Sequence, residues 1–270
     1  MELLKPKIDV VFHALFREEN KHLTEALISD ILGKKVKIIT KDKDRHLNLK
    51  YPEEKLGVMD LRTELEGGVK CNIEIQLRKY KNENERFLYY WANTYSRQLK
   101  RGEKYKELNK TISIIILDHE IQELEGIEEL GTKWQIRDNK TGKRMLTEHL
   151  EIIILEIPKA IRVYEKNKKD RISQWLMFLD NPNKEEVFQI MEENKEIKEA
   201  TAELYEMSRD EELRLVAELV EKGRRDDAAA MEYIMEEGLK KGMDKGLKAG
   251  IKKGIEEGRK KGRKEGIEKR

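Results

Sequence analysis

Residues 57–77 constrain this chain more than any other stretch. They hold two alternating runs, Gly57-Val58-Met59-Asp60-Leu61-Arg62-Thr63-Glu64-Leu65 and Val69-Lys70-Cys71-Asn72-Ile73-Glu74-Ile75-Gln76-Leu77, separated by Glu66-Gly67-Gly68. A glycine pair between alternating runs is a β-hairpin signal. Strand side chains point to opposite faces in turn. The odd positions from Leu61 to Leu77 are nearly all apolar and the even ones are polar, so both runs bury their odd face and the register is fixed to one parity. A three-residue loop at residues 66–68 meets that requirement and sets Leu65 opposite Val69. The same pairing sets Asp60 opposite Glu74, with Gln76 two residues further along the polar face. A two-residue loop would put Asp60 across from Ile75 and split the acids between faces.

Adjacent carboxylates repel unless something positive lies between them. A divalent cation is one such partner, and hard cations such as Mg²⁺ take oxygen ligands. The other reading is a solvated hairpin face on which Arg62 and Lys70 offset the acids, since antiparallel sheets commonly have one wet face. The pattern by itself leaves both open.

The 270 residues suit one or two domains. Charged residues make up 41% and apolar residues 38%, and the dense apolar runs fall in about the first 180 residues. The expected division is a core domain over residues 1–183, a charged helical region over 184–237 and a basic, mobile glycine-repeat tail over 238–270. That tail carries 13 Lys/Arg and 5 Asp/Glu, a surplus of 8 in a chain of net charge +2. The one cysteine, Cys71, is on the face expected to be buried. It allows no internal disulfide or cysteine-rich zinc site, and a reduced cytoplasmic setting is the expectation. No secretory segment is read at the start, and no apolar run is long enough to span a membrane.

Along the chain, Asp9 is placed to cap a helix carrying Val11, Phe12, Leu15 and Phe16 on one stripe. A second helix fits residues 22–32, stopped by Gly33. Residues 36–39 read as a first strand. Residues 79–100 read as a long helix with Phe87, Leu88, Tyr90, Trp91, Tyr95 and Leu99 near helical spacing. These aromatics suit a core better than a base-stacking platform. Arg86, Arg97, Lys100 and Arg101 on its exposed side are candidate phosphate contacts. Residues 111–117 form a continuous apolar run, as a central strand covered on both faces requires. A hairpin over residues 134–146, a strand over 150–157 and a helix over 170–179 complete an α/β core with helices on each side of a mixed sheet. Candidate helices then cover 185–208 and 209–223. From Gly238 to Gly266 a glycine recurs every fourth residue. A four-residue repeat overshoots the helical period by about 40° each time, so the stripe drifts round the helix and makes no single straight seam. With glycine costing about 1 kcal/mol per helical position, weak helicity or disorder is expected there. A phosphate-attracting arm and a solvated low-complexity tail both fit.

Several separated stretches together resemble the recombination-promoting nuclease (Rpn) family, a transposase-like branch of the PD-(D/E)XK nuclease superfamily. They are Pro6-Lys7-Ile8-Asp9-Val10-Val11-Phe12 with Leu15-Phe16; Gly57-Val58-Met59-Asp60; Ile73-Glu74-Ile75-Gln76; Arg86 through Tyr89 with Tyr95, Gln98-Leu99, Gly102 and Tyr105; His149-Leu150-Glu151 through Pro158; and Trp175-Leu176 with Phe178-Leu179. The glycine-punctuated charged tail is also typical of that family. The resemblance implies a restriction-endonuclease-like fold and Mg²⁺-dependent hydrolysis of DNA phosphodiesters, linked to recombination or mobile elements. It implies that Asp60 and Glu74 hold the metal with the main-chain carbonyl of Ile75. Gln76 takes the place of the superfamily's lysine, and Asp9 is a further acidic member. Gln76 is neutral and cannot act as a cation. Lys70, Arg78 and Lys79 are the candidates for the missing charge, and His13 stands where the family often has lysine.

Three functions follow. The first is a metal-dependent DNA endonuclease. The second is a catalytically inactive nuclease fold that binds nucleic acid or a protein partner. The third is an assembly protein using residues 184–270 to form a homo-oligomer.

Overall fold

The computed structural model describes residues 1–41, 61–124 and 126–268. Six strands form one mixed sheet in the order β1-β2-β3-β4-β6-β5: β1 (Ile38–Lys41), β2 (Leu61–Leu65), β3 (Lys70–Gln76), β4 (Thr111–Leu117), β5 (Gly131–Trp134) and β6 (Leu150–Glu156). The first three run antiparallel, β3, β4 and β6 run parallel, and β5 closes the far edge antiparallel to β6. Eight α-helices accompany them among the described residues: α1 (Asp9–Leu15), α2 (Lys21–Leu32), α3 (Glu83–Ser96), α4 (Ala160–Lys166), α5 (Arg171–Asp180), α6 (Glu185–Glu193), α7 (Lys195–Met207) and α8 (Glu211–Glu268).

The β2–β3 hairpin has the expected register. Leu61 pairs with Ile73 and Thr63 with Cys71, and Leu65 N–H donates to the Val69 carbonyl over 2.8 Å. Gly67 and Gly68 both adopt positive φ, 84° and 80°, where a side chain is strained. A Cβ on Gly68 would also come within 2.9 Å of Asn109 Oδ1. Cys71 is buried, as its parity requires.

Of the two readings of the polar face, the solvated one does not hold on β3. Asn72, Glu74 and Gln76 are all buried. The cause is α3, which crosses over the sheet between β3 and β4. The row of residues level with Glu74 is Ile115 on β4 and Ile154 on β6. Phe87 and Trp91 of α3 pack with Ile115, Leu117, Ile152 and Ile154. Trp91 stacks on Tyr95 at 5.0 Å and donates its indole N–H to the Thr111 carbonyl. Leu88, assigned to the same stripe, is exposed instead. Strand β4 is buried throughout, as a central strand should be. The opposite sheet face carries Ile73, Ile114 and Ile153 in one buried row.

Four further details differ from expectation. Asp9 is the first residue of α1 rather than its cap; Ile8 holds the cap position and makes no side-chain cap bond. Helix α3 begins at Glu83, after a loop, rather than at residue 79. The run 185–208 breaks at Asn194, whose side chain accepts the Ile197 N–H and starts α7. The last helix, expected to end at residue 223, instead runs from Glu211 to Glu268 as α8, although its glycines make it a poor intrinsic helix former. Helices α6 and α7 bury Val187, Ile190, Ile197, Ala200 and Leu204. The compact unit accordingly extends over Met1–Ala217, with Glu218–Arg270 as a second unit. Leu239, Met243, Leu247, Ile251 and Ile255 of that second unit are exposed.

Candidate active site

The polar residues of β3 meet the first turns of α3 and the segment after β4. Glu74 and Gln76 are two residues apart on one strand and so share a face. Each is only 4% exposed. Arg86 of α3 brings a guanidinium nitrogen to 3.7 Å from Glu74 Oε1. Its guanidinium sits over the rings of Tyr80 and Tyr90, at 4.6 and 4.8 Å from their centroids, which orients a cation while leaving its edge free for an anion. The expected exposed position for Arg86 is therefore corrected to a half-buried one beside Glu74. Lys70 pairs its ammonium with Glu64 at 2.5 Å. Arg78 and Lys79 are exposed.

Glu83, at the first position of α3, is 7% exposed. One of its oxygens, Oε1, accepts from Gln76 Nε2 at 2.8 Å, from the Tyr80 backbone N–H at 2.9 Å and from His119 Nε2 at 2.7 Å. His119 follows β4, and the preceding Asp118 donates its N–H to the Gln76 carbonyl over 3.1 Å. Asp118 also accepts from Lys7 Nζ at 2.7 Å, and Lys7 reaches Asp180 at 2.8 Å. Burial works against the Lys7 ammonium, but its two carboxylate partners outweigh it and hold its pKa above that of an ordinary lysine. For Asp180, burial likewise opposes the charge, and bonds from Lys184 and Lys7 overcome it, so its pKa lies below the usual carboxylate range. Sequence reasoning missed Glu83, His119 and Lys7. Glu83 sits in a run of mixed charged and polar residues, His119 is a lone histidine after a strand, and Lys7 had only its place in the opening motif to single it out.

A cleft of about 470 Å³ opens along the polar side of β2–β3; its lining includes Arg62, Lys70, Asn72, Thr94 and Arg97. It contains one of the expected phosphate contacts, Arg97. Lys100 and Arg101 are exposed in the turn that follows α3. Asp9 is half-buried at the start of α1 and His13 is half-buried on the same helix. Asp60 lies outside the described residues.

The donor chemistry suits a hard divalent cation. Glu74 offers carboxylate oxygens, and Gln76 Oε1 is a buried oxygen with no hydrogen-bond partner among the described residues. Those residues contain no group of three His, Cys, Asp or Glu side chains placed to hold a metal.

An antiparallel three-strand meander, a crossover helix and a parallel fourth strand, with buried Glu-x-Gln on the third strand, define a nuclease-type α/β core. A family model described as PD-(D/E)XK nuclease family transposase matches residues 6–234. The chain belongs to that family, which is one of nucleases. No curated protein and no solved structure matches it. No described helix is long and apolar enough to cross a membrane.

Proposed function

We propose that this chain is a metal-dependent endonuclease that hydrolyses DNA phosphodiesters, in the service of recombination or mobile elements. The observation that carries the reading is the β2–β3 register, Leu61 opposite Ile73, together with the burial of Glu74 and Gln76 on one face. The hairpin parity read from the sequence expects Asp60 as the partner of Glu74. Asp60, Glu74 and the Ile75 main-chain carbonyl would hold Mg²⁺ or a similar cation, with Asp9 as a further acidic member. Bound there, the cation would polarise the scissile phosphate and lower the pKa of an attacking water.

The chain's own groups do the rest. Gln76 orients the water. Arg86, fixed between two tyrosines, supplies the positive charge that a glutamine at this position lacks. Arg97, Lys100 and Arg101 contact flanking phosphates, positioning the duplex without reading its sequence. The surplus of basic residues in the tail adds a salt-sensitive, sequence-independent attraction.

Substitution of Asp60→Ala in the full chain is the test. Mg²⁺-dependent nicking of supercoiled plasmid is expected to be lost while the circular-dichroism spectrum and thermal midpoint are kept. Undiminished nicking by the variant overturns the assignment. If the parent chain binds DNA but cuts nothing in Mg²⁺ or Mn²⁺ at any pH, the catalytically inactive alternative replaces it.

A further inference from the structure

We propose that Glu83 is a positioning residue that sets which end of the Gln76 carboxamide faces the site. Through it, β3 presents an oxygen acceptor where the superfamily pattern places a lysine, a donor. The inference rests on the nuclease reading for what Gln76 does, but not for how Gln76 is turned.

An ionised carboxylate can only accept hydrogen bonds. The Gln76 group 2.8 Å from Glu83 Oε1 is therefore the NH₂ end of its amide. The amide oxygen must then point away from Glu83. There it is buried with no partner among the described residues. A buried polar atom without a partner is rare and calls for a specific cause, such as a water or ion that belongs there. The direction of the amide is not left to chance. Glu83 is itself pinned by two further donors on the same oxygen, the Tyr80 N–H and His119 Nε2. His119 extends the logic. In the neutral ring, Nε2 donating to Glu83 leaves Nδ1 as an acceptor, and that atom is also buried without a partner among the described residues.

An outward-facing amide oxygen cannot neutralise a phosphate. It can accept from a water O–H or ligate a hard cation. Gln76 therefore serves the cation and water side of the reaction, and the positive charge for the phosphate has to come from elsewhere, with Arg86 in place to give it. A purely structural role for Glu83, stapling the start of α3 to Tyr80, would leave these functions untouched, and this separates the two explanations.

The experiment uses the full chain and Mn²⁺ as the probe. Mn²⁺ affinity is read by electron paramagnetic resonance without DNA, and cleavage of an oligonucleotide duplex gives kcat and KM. Glu83→Ala is expected to lower Mn²⁺ affinity and kcat by about 10- to 100-fold, the usual range for partners behind a metal ligand, with KM for DNA within about twofold. Gln76→Glu sets two carboxylates against each other and is expected to lose as much. The exchange pair Gln76→Glu with Glu83→Gln restores one amide donor facing one carboxylate. It is expected to recover at least tenfold over either single variant. Glu83→Ala with Mn²⁺ affinity and kcat within twofold of the parent overturns the proposal. So does an exchange pair no better than the worse single variant. Should Glu83→Ala fail to fold, Glu83→Gln alone and the exchange pair carry the comparison. If the parent chain neither binds Mn²⁺ nor cleaves DNA, the nuclease reading fails, and Glu83 is judged by the side-chain NH₂ protons of Gln76 in NMR. Slow exchange in the parent and fast exchange in the variant uphold the positioning role, and equal exchange rejects it.

Discussion

Helix α3 covers two halves of one sheet face, and they are built on opposite principles. Over β4 and β6, Phe87 and Trp91 close against Ile115, Leu117, Ile152 and Ile154. Over β3, Glu83 and Arg86 of the same helix meet Gln76 and Glu74. Both halves are buried, so exposure does not distinguish them. What distinguishes them is what is left unpaired. Five buried side-chain atoms without a hydrogen-bond partner among the described residues belong to the β3 half and its margin: Asn72 Oδ1, Gln76 Oε1, Arg86 Nε, Ser113 Oγ and His119 Nδ1. Each such atom forfeits about 1–3 kcal/mol. A sheet selected for stability alone would replace them, as its other half does. The β3 half keeps them on the face that carries Glu74 and Gln76.

The largest expected effect sets the halves directly against each other. Glu74→Gln should lower cleavage by about 100- to 1,000-fold, the several kcal/mol a metal contributes at 1.36 kcal/mol per decade, while urea unfolding shifts by less than about 1 kcal/mol. Trp91→Ala should do the reverse. It should cost about 3–5 kcal/mol of stability, with cleavage per folded molecule retained. If both substitutions act mainly on stability, the division between the halves is wrong.

Next in size is an exception inside the apolar half. Glu156 shares the row of Gln76 and Leu117, is fully buried, and pairs with the fully buried Lys159 at 2.5 Å while accepting the Ile121 N–H at 2.7 Å. Removing one partner of a buried ion pair strands the other. Lys159→Met should therefore destabilise by about 3–5 kcal/mol, and adding Glu156→Gln should recover part of that loss. Unfolding midpoints in urea decide it, and a midpoint unchanged in Lys159→Met would mean the pair is not held as seen.

The alternation of residues 61–77 made the hairpin, its register and the parity of Glu74 and Gln76 legible, because period-2 patterning has only one solution when one face is apolar. The continuous apolar run at 111–117 likewise fixed a central strand. The burial of the even face was not legible. It depends on α3 folding back over β3, a long-range contact that leaves no trace in the hairpin's own sequence. Asp9 was misassigned as a cap for a similar reason, since an acid one residue inside a helix looks the same as one at its start. Glu83 and His119 are 36 residues apart in sequence and meet only because β3 and β4 run parallel and end level. Parity put Glu74 and Gln76 on one face and the family resemblance implied a metal role there, yet the sequence offered Lys70, Arg78 and Lys79 as candidate cations, whereas the fold puts Arg86 beside Glu74.

A smaller effect tests the margin of the site by pH. Asp180 has its folded pKa depressed, so its contribution is full above the ordinary aspartate value of about 3.9 and is lost as pH falls through the lower folded value. Lys7 has its pKa raised, so its contribution is full below about 10.5 and is lost as pH rises beyond it. Asp180→Asn should therefore cost about 1–3 kcal/mol between roughly pH 5 and 9, and less below about pH 4. A gap between variant and parent that stays constant from pH 3 to 7 would remove the ion pair from the account.

The smallest effect is the cleanest probe of the unpaired atoms, because one substitution can be made in both settings. Ser113 Oγ, on the β3 side of β4, is buried and has no hydrogen-bond partner among the described residues. Ser173 is equally buried in α5, but its hydroxyl donates to the Asp170 carbonyl at 2.8 Å. Replacing Ser173 by Ala removes a made bond and should cost about 1 kcal/mol. Replacing Ser113 by Ala removes an unmade one and should be neutral or stabilising by up to about 1 kcal/mol. Equal losses at both sites would mean that Ser113 has a partner in solution. The contrast between the two halves would then rest on polarity alone.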